Sequence, residues 1–151
     1  MNIGEICHRD VITVRASDDL TSAAELMRTE HVGYLVVVEP EVGESTVRPI
    51  GVLSDRDIVI AVVARGVDVR SLRVGDVMTQ QPITVEENYA LKTALQEMRR
   101  IGVRRMPVVG HRGQLVGLVS LDDVLAELAG EFQDVASSIA NEQRIEGALR
   151  S

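Results

Sequence analysis

Two stretches of the chain run through apolar and polar positions in the same order. Each opens on a short β-rich run, VITV at 11–14 and PITV at 82–85. A helical period follows: Leu20, Ala23, Ala24 and Met27 share one face, as do Leu91, Ala94, Leu95 and Met98. Ser17 and Asn88 stand ahead of these runs as N-cap candidates, and Asp18 and Asp19 suit the positive end of the first helix. Two apolar runs come next in each stretch, YLVVV (34–38) with PIGVLS (49–54), then MPVV (106–109) with LVGLVS (115–120). These predict paired strands. A second helix is expected to start at Ser54 or Ser120 and to close at Gly66 or Gly130. The predicted order is β-α-β-β-α, twice.

The two stretches are copies. IGEICHRDVITV (3–14) aligns with VGDVMTQQPITV (74–85) at an offset of 71 residues, and the offset holds through Tyr34 and Arg105. By Gly51 and Gly117 it has fallen to 66. The first copy therefore carries five extra residues, inside the charged stretch EPEVGESTVRP, which reads as a longer hairpin loop. The first repeat spans 3–66, a linker 67–73, the second repeat 74–130, and a tail 131–151 lies outside both. A unit of about 60 residues is marginal alone. The two are expected to pack around an approximate two-fold as one α+β module, with one shared core.

Composition narrows the chemistry. Of 151 residues 45% are apolar but only 2% aromatic, so the core is aliphatic. Sixteen Lys and Arg against 23 Asp and Glu leave a formal charge of −7, which opposes a grip on duplex nucleic acid. Nucleic acid is not an expected partner. The single cysteine, Cys7, aligns with Met78 and reads as an apolar filler. No Cys or His spacing suits a metal, and no nucleophile has a base partner at a recognisable spacing. Neither a metal site nor an enzyme is expected. No apolar run reaches the roughly 18 residues of a membrane span, and no signal segment opens the chain. A cytoplasmic protein that stands alone, rather than a piece of an enzyme fusion, is the expectation.

One phrase recurs: GVLSDRD at 51–57 and GLVSLDD at 117–123. Ser54 with Asp57, and Ser120 with Asp123, have the S-x-x-D spacing of a capping box, which stabilises a helix start without any ligand. The same parts suit a ribonucleotide. Free N–H groups and a hydroxyl at a strand-to-helix turn hold phosphate. A carboxylate one turn in accepts from a vicinal diol. The β-rich starts can flank a flat base, and Arg104 and Arg105 offer rigid donor forks for phosphate. Both readings stand at this point.

With VGDVMTQQPITVEEN, GVRRMPVVGHRGQLVGLVSLDDVL and HVGYLVVVEP…IGVLSDRDIV together, the chain resembles a tandem pair of CBS domains over about 3–130. That resemblance implies two β-α-β-β-α repeats packed pseudo-symmetrically. It also implies a regulatory ligand held in clefts between the repeats: AMP, ADP, ATP or S-adenosylmethionine, none of them a catalytic cofactor. It assigns Ser54 and Ser120 to phosphate and Asp57 and Asp123 to ribose. Val11, Ile12, Thr13, Pro82, Ile83 and Thr84 would line the base, and Arg105, beside Met106 and Pro107, would meet phosphate. The first copy departs from the pattern, with Tyr34 where Arg105 stands and Val36 where Pro107 stands. Arg56, inside a helix start, is the candidate to replace that charge. The second copy is expected to be the better pocket.

Phe132, Val135, Ala136 and Ile139 give the tail an apolar stripe at helical spacing. A homodimer packed through helices, with the tail adding contact, is expected, and an unidentified protein partner would receive the signal. The alternative is a scaffold that assembles without ligand.

Overall fold

The computed structural model describes residues 1–150. Each repeat opens on a one-turn helix, α1 (Ile3–Ile6) and α4 (Val74–Val77). The first repeat continues through β1 (Thr13–Val14), α2 (Leu20–Glu30), β2 (Tyr34–Pro40), β3 (Val47–Ser54) and α3 (Asp55–Ile58). A π-helical turn, Val59–Val63, prolongs α3, and a 3-10 turn, Val69–Ser71, lies in the linker. The second repeat has β4 (Thr79–Gln80), β5 (Val85–Glu86), α5 (Leu91–Ile101), β6 (Arg105–Val109), β7 (Leu115–Ser120) and α6 (Leu121–Arg150). Two β-α-β-β-α repeats are therefore present, each preceded by a short lead. The copies agree in detail: both hairpins bulge at equivalent places, Val37/Val38 and Val108/Val109.

The leads are exchanged between the repeats. The first sheet runs β1-β2-β3-β4, so its last strand is the lead of the second repeat. The second sheet runs β5-β6-β7, and His8 from the lead of the first repeat bridges Leu118 at its edge. The cores follow the same exchange. Ile3 packs with Val85, Ala94, Met98, Met106, Val108, Val119 and Val124. Val74 packs with Val14, Leu20, Ala23, Met27, Leu35, Val37 and Leu53. The expected single core is thus two aliphatic cores, each closed by the other repeat's lead. A four-residue helix has no stability of its own. Burying Ile3, worth about 2 kcal/mol, together with a capping box between Asn2 and Glu5, holds α1 in place. Val36 and Pro107 belong to neither core. Strand alternation turns them to the opposite face, where the sheets meet along β3 and β7, and both are fully buried there.

The exchange also explains two misplaced caps. The helices start at Leu20 and Leu91, with Asp19 and Ala90 as N-caps, not Ser17 and Asn88, and neither cap side chain bonds the helix. Backbone replaces them: Leu20 N–H donates to the Leu72 carbonyl (3.3 Å) and Leu91 N–H to the Met1 carbonyl (3.2 Å). Donors already satisfied by a neighbouring segment need no side-chain cap.

The last helix does not stop at Gly130. Gly66 and Gly102 take positive φ and end their segments, but Gly130 stays helical, and α6 runs for 30 residues, about 45 Å. A helical glycine costs only about 1 kcal/mol relative to alanine, and the flanking Ala and Glu propagate the helix. Val124 is the only buried residue of α6.

Candidate nucleotide clefts

The repeated phrase forms a capping box in both copies. Asp57 N–H donates to Ser54 Oγ (3.1 Å) and Ser54 N–H to Asp57 Oδ2 (2.9 Å). The same bonds join Asp123 and Ser120 at 3.1 and 2.8 Å. The glycines of the phrase serve the exchanged leads. A Cβ on Gly117 would lie 2.7 Å from Cys7 Sγ and 2.8 Å from the His8 carbonyl oxygen. On Gly51 it would lie 2.6 Å from Met78 Sδ and 3.0 Å from the Thr79 carbonyl oxygen. Only glycine lets each lead cross its strand this closely.

Each cleft is therefore built from both repeats. Beside the Ser54 end of β3 lies a cavity of about 190 Å³, lined by Tyr34 and Val52 from the first repeat and by Thr79, Gln81, Pro82, Ile83, Ile101, Val103 and Arg105 from the second. Tyr34 pairs with Ser54 across the hairpin. Burial raises its phenol to about 12, with Arg105 opposing and the Asp57 carboxylate adding to the shift. Asp57 is thus close enough to act on Tyr34. A second cavity of about 360 Å³ shares Gln81 and Pro82 and takes in Thr84, Arg48 and Val109.

Of the residues read from the sequence, Pro82, Ile83 and Arg105 come together in the 190 Å³ cavity, the cleft beside Asp57, whose lining includes neither Asp57 nor Ser54, and Thr84 lines the adjoining cavity. Arg105 lies over the Tyr34 ring, so it lines this cleft, and the side chain that reaches Asp123 from the other repeat is His8 instead. Two of the residues have buried side chains. The Met106 side chain is part of the second core and the Pro107 side chain is fully buried, so neither lines either cavity. Arg56 is exposed on α3 and lines neither cavity. Val11 and Ile12 are half-buried beyond His8, and Thr13 is exposed on β1. Sequence reasoning missed Thr79, Gln81, Val103 and His8. Thr79, Gln81 and His8 lie on or just after the crossing leads, which no local pattern reveals, and Val103 lies in the short turn between α5 and β6.

At the other site, Asp123 Oδ2 accepts from Ser120 Oγ (2.7 Å) and Oδ1 lies 2.6 Å from His8 Nε2. Burial alone would raise the Asp123 carboxyl. The Ser120 hydroxyl and backbone N–H, then His8, outweigh it and hold the carboxyl below its usual range. Among the described residues no group of His, Cys, Asp or Glu is arranged to hold a metal ion, and no helix is long and apolar enough to cross a membrane.

One family pattern, the CBS domain, matches residues 3–64 and 74–130. The chain belongs to the CBS domain family. An uncharacterised protein of Methanopyrus kandleri is 35% identical over 125 residues, which are 83% of this chain and 61% of that protein. The chain thus spans less than two thirds of that relative. The solved structure of Hypoxic Response Protein I, with two coordinated zinc ions, is 30% identical with a TM-score of 0.70, covering 83% of this chain and 98% of that one. CBSX2 in complex with AMP has a TM-score of 0.70 at 24% identity, covering 85% and 96%, and shares the fold. Both repeats of the chain are thus CBS domains, packed as a pair.

Proposed function

We propose that this CBS-domain pair senses an adenine nucleotide (AMP, ADP, ATP or S-adenosylmethionine) and passes the signal on through its contact surfaces, as a cytoplasmic homodimer. The observation that carries this is the convergence at the 190 Å³ cleft. Pro82, Ile83 and Val103 offer an apolar slot for a base, and Arg105 a cation for phosphate. Asp57 Oδ1 makes no hydrogen bond among the described residues and is left for a ribose diol. Ser54 Oγ accepts from Asp57 N–H, and its own proton is unspent. Apolar walls with a few convergent polar groups are the usual make-up of a ligand site.

A thermal-shift panel of the four ligands and NADH tests it. A ligand that binds the native state raises the melting temperature by mass action. Asp57→Asn should then weaken binding about tenfold to a hundredfold, as expected for loss of a charge-assisted bond. Under a capping role alone it would cost a few tenths to about 1 kcal/mol of stability and leave binding intact. Arg105→Ala should weaken AMP more than adenosine.

The alternative, a ligand-free scaffold, draws on a different surface. A concavity of about 500 Å³ lies on the outer face of α5 between Leu91, Leu95, Lys92, Gln96 and Arg99, with no carboxylate in its lining. Such a face suits subunit packing. If no adenine nucleotide binds below millimolar, assembly through it becomes the function.

A further inference from the structure

The two Ser-x-x-Asp sites share one plan but differ in what stands over the carboxylate. His8 and Thr79 are equivalent in the repeat, and each is fixed by backbone pairing to the strand that precedes the other repeat's Ser-x-x-Asp helix. His8 exchanges two 2.9 Å hydrogen bonds with Leu118, and Thr79 pairs with Val52, the equivalent of Leu118. Their side chains end differently. The Thr79 hydroxyl makes no bond to Asp57 and lines the open cleft. The His8 imidazole reaches Asp123 Oδ1 at 2.6 Å. Asp123 is ionised at neutral pH, so the nitrogen facing it carries the proton and donates. With Oδ2 held by Ser120, both oxygens of Asp123 are engaged.

We propose that His8 is a built-in competitor for the ligand: its ring donates to Asp123 where a ribose hydroxyl would, so the chain binds one nucleotide at the Asp57 cleft and keeps its second site shut. The side chain of His8 is 72% exposed while that of Asp123 is 16% exposed. The ring is therefore a removable cover on a carboxylate that is otherwise shielded. A competing ligand must break a hydrogen bond to a charged group, which weakens its binding by about tenfold or more. Removing His8 exposes the carboxylate without touching either core. This inference rests on the nucleotide reading of the Asp57 cleft.

The test is calorimetric titration of AMP into the full chain as wild type, His8→Ala and His8→Gln. Wild type should take up one AMP per chain, and Asp57→Asn should weaken that binding about tenfold to a hundredfold. His8→Ala should take up two, and Asp57→Asn in that background should weaken one of them by the same factor and leave the other unchanged. His8→Gln, whose amide can place an N–H near the position of Nε2, should restore a single site and so separates competition from general loosening. Two AMP per wild-type chain, or one per His8→Ala chain, overturns the competitor. Loss of the single wild-type site in Asp123→Asn rather than Asp57→Asn overturns it as well. No uptake by any of the proteins instead overturns the nucleotide reading, and the competitor with it.

Discussion

Arg105 lies over the ring of Tyr34, with its guanidinium carbon 5.8 Å from the ring centroid. The two residues are equivalent in the repeat, so their contact sits close to the pseudo-two-fold axis. That explains why the first copy departs from the second. Arginine in both copies would bring two guanidinium groups together at the axis. Tyrosine turns a repulsion into a cation–π contact worth about 0.5–2 kcal/mol. Tyr34→Arg is expected to lower stability by roughly 1–2 kcal/mol, and added salt should recover part of the loss. Urea melts at low and high ionic strength check both.

The same phenol sets an alkaline limit. Burial pushes it up to about 12, above the ordinary phenol value of about 10. A group whose folded pKa is raised gives stability that is present below the unfolded pKa and is lost as pH rises through the folded one. Stability should therefore fall between about pH 10 and 12, by at most roughly 2–3 kcal/mol. Tyr34→Phe removes this share of the slope. Denaturant midpoints across that range, wild type against Tyr34→Phe, measure it.

The repeat, the order of elements and the Ser-x-x-Asp boxes were all legible because each is local: a period, a spacing, a turn residue. What was not legible is long-range. Nothing in VMTQQPITV says that Thr79 will pair with Val52 or that Pro82 will line a cavity with Tyr34. The offset of 71 aligns Met106 with Leu35 and Arg105 with Tyr34, but only strand alternation in the folded sheets separates the core position from the cleft position.

The exchange of leads has its own signature in the glycines. A methyl on Gly117 would meet backbone, the His8 carbonyl oxygen at 2.8 Å, as well as Cys7 Sγ. At Gly51 the nearest atom is the sulfur of a flexible methionine, with the Thr79 carbonyl at 3.0 Å. Gly117→Ala should cost about 2–3 kcal/mol and Gly51→Ala less, about 1–2 kcal/mol. Melting temperatures of the two variants give the order. Equal and negligible losses would mean that the leads are not pinned by these crossings.

Helix α2 ends at His31, whose φ of +56° is left-handed, and its repeat equivalent at the end of α5 is Gly102 with φ +80°. A residue with a Cβ pays about 1–2 kcal/mol for this conformation, offset in part by its smaller loss of chain entropy on folding. The His31 side chain makes no hydrogen bond among the described residues. His31→Gly is therefore expected to stabilise the protein by up to about 1 kcal/mol. An unchanged or lower urea midpoint would refute the strain.

The outer two thirds of α6 leave the module with nothing beneath them. Residues 131–150 are all exposed, Phe132 at 76%. Leu125, Leu128, Phe132, Val135 and Ile139 follow one another at alternating spacings of three and four, the seam of a helix that packs on another helix. An isolated segment of about 20 residues carrying a glycine at 147 is marginally helical in water. Its helicity should therefore depend on association. Deletion of 131–151 is expected to leave the melting temperature of the dilute module unchanged, because neither core loses a residue. In the full chain the helical circular dichroism signal should rise with protein concentration in step with dimer formation seen by sedimentation, and the deletion should abolish the rise. A full-length chain that stays monomeric at micromolar concentration while keeping all of its helix would show that α6 is held by its own sequence and needs no second subunit.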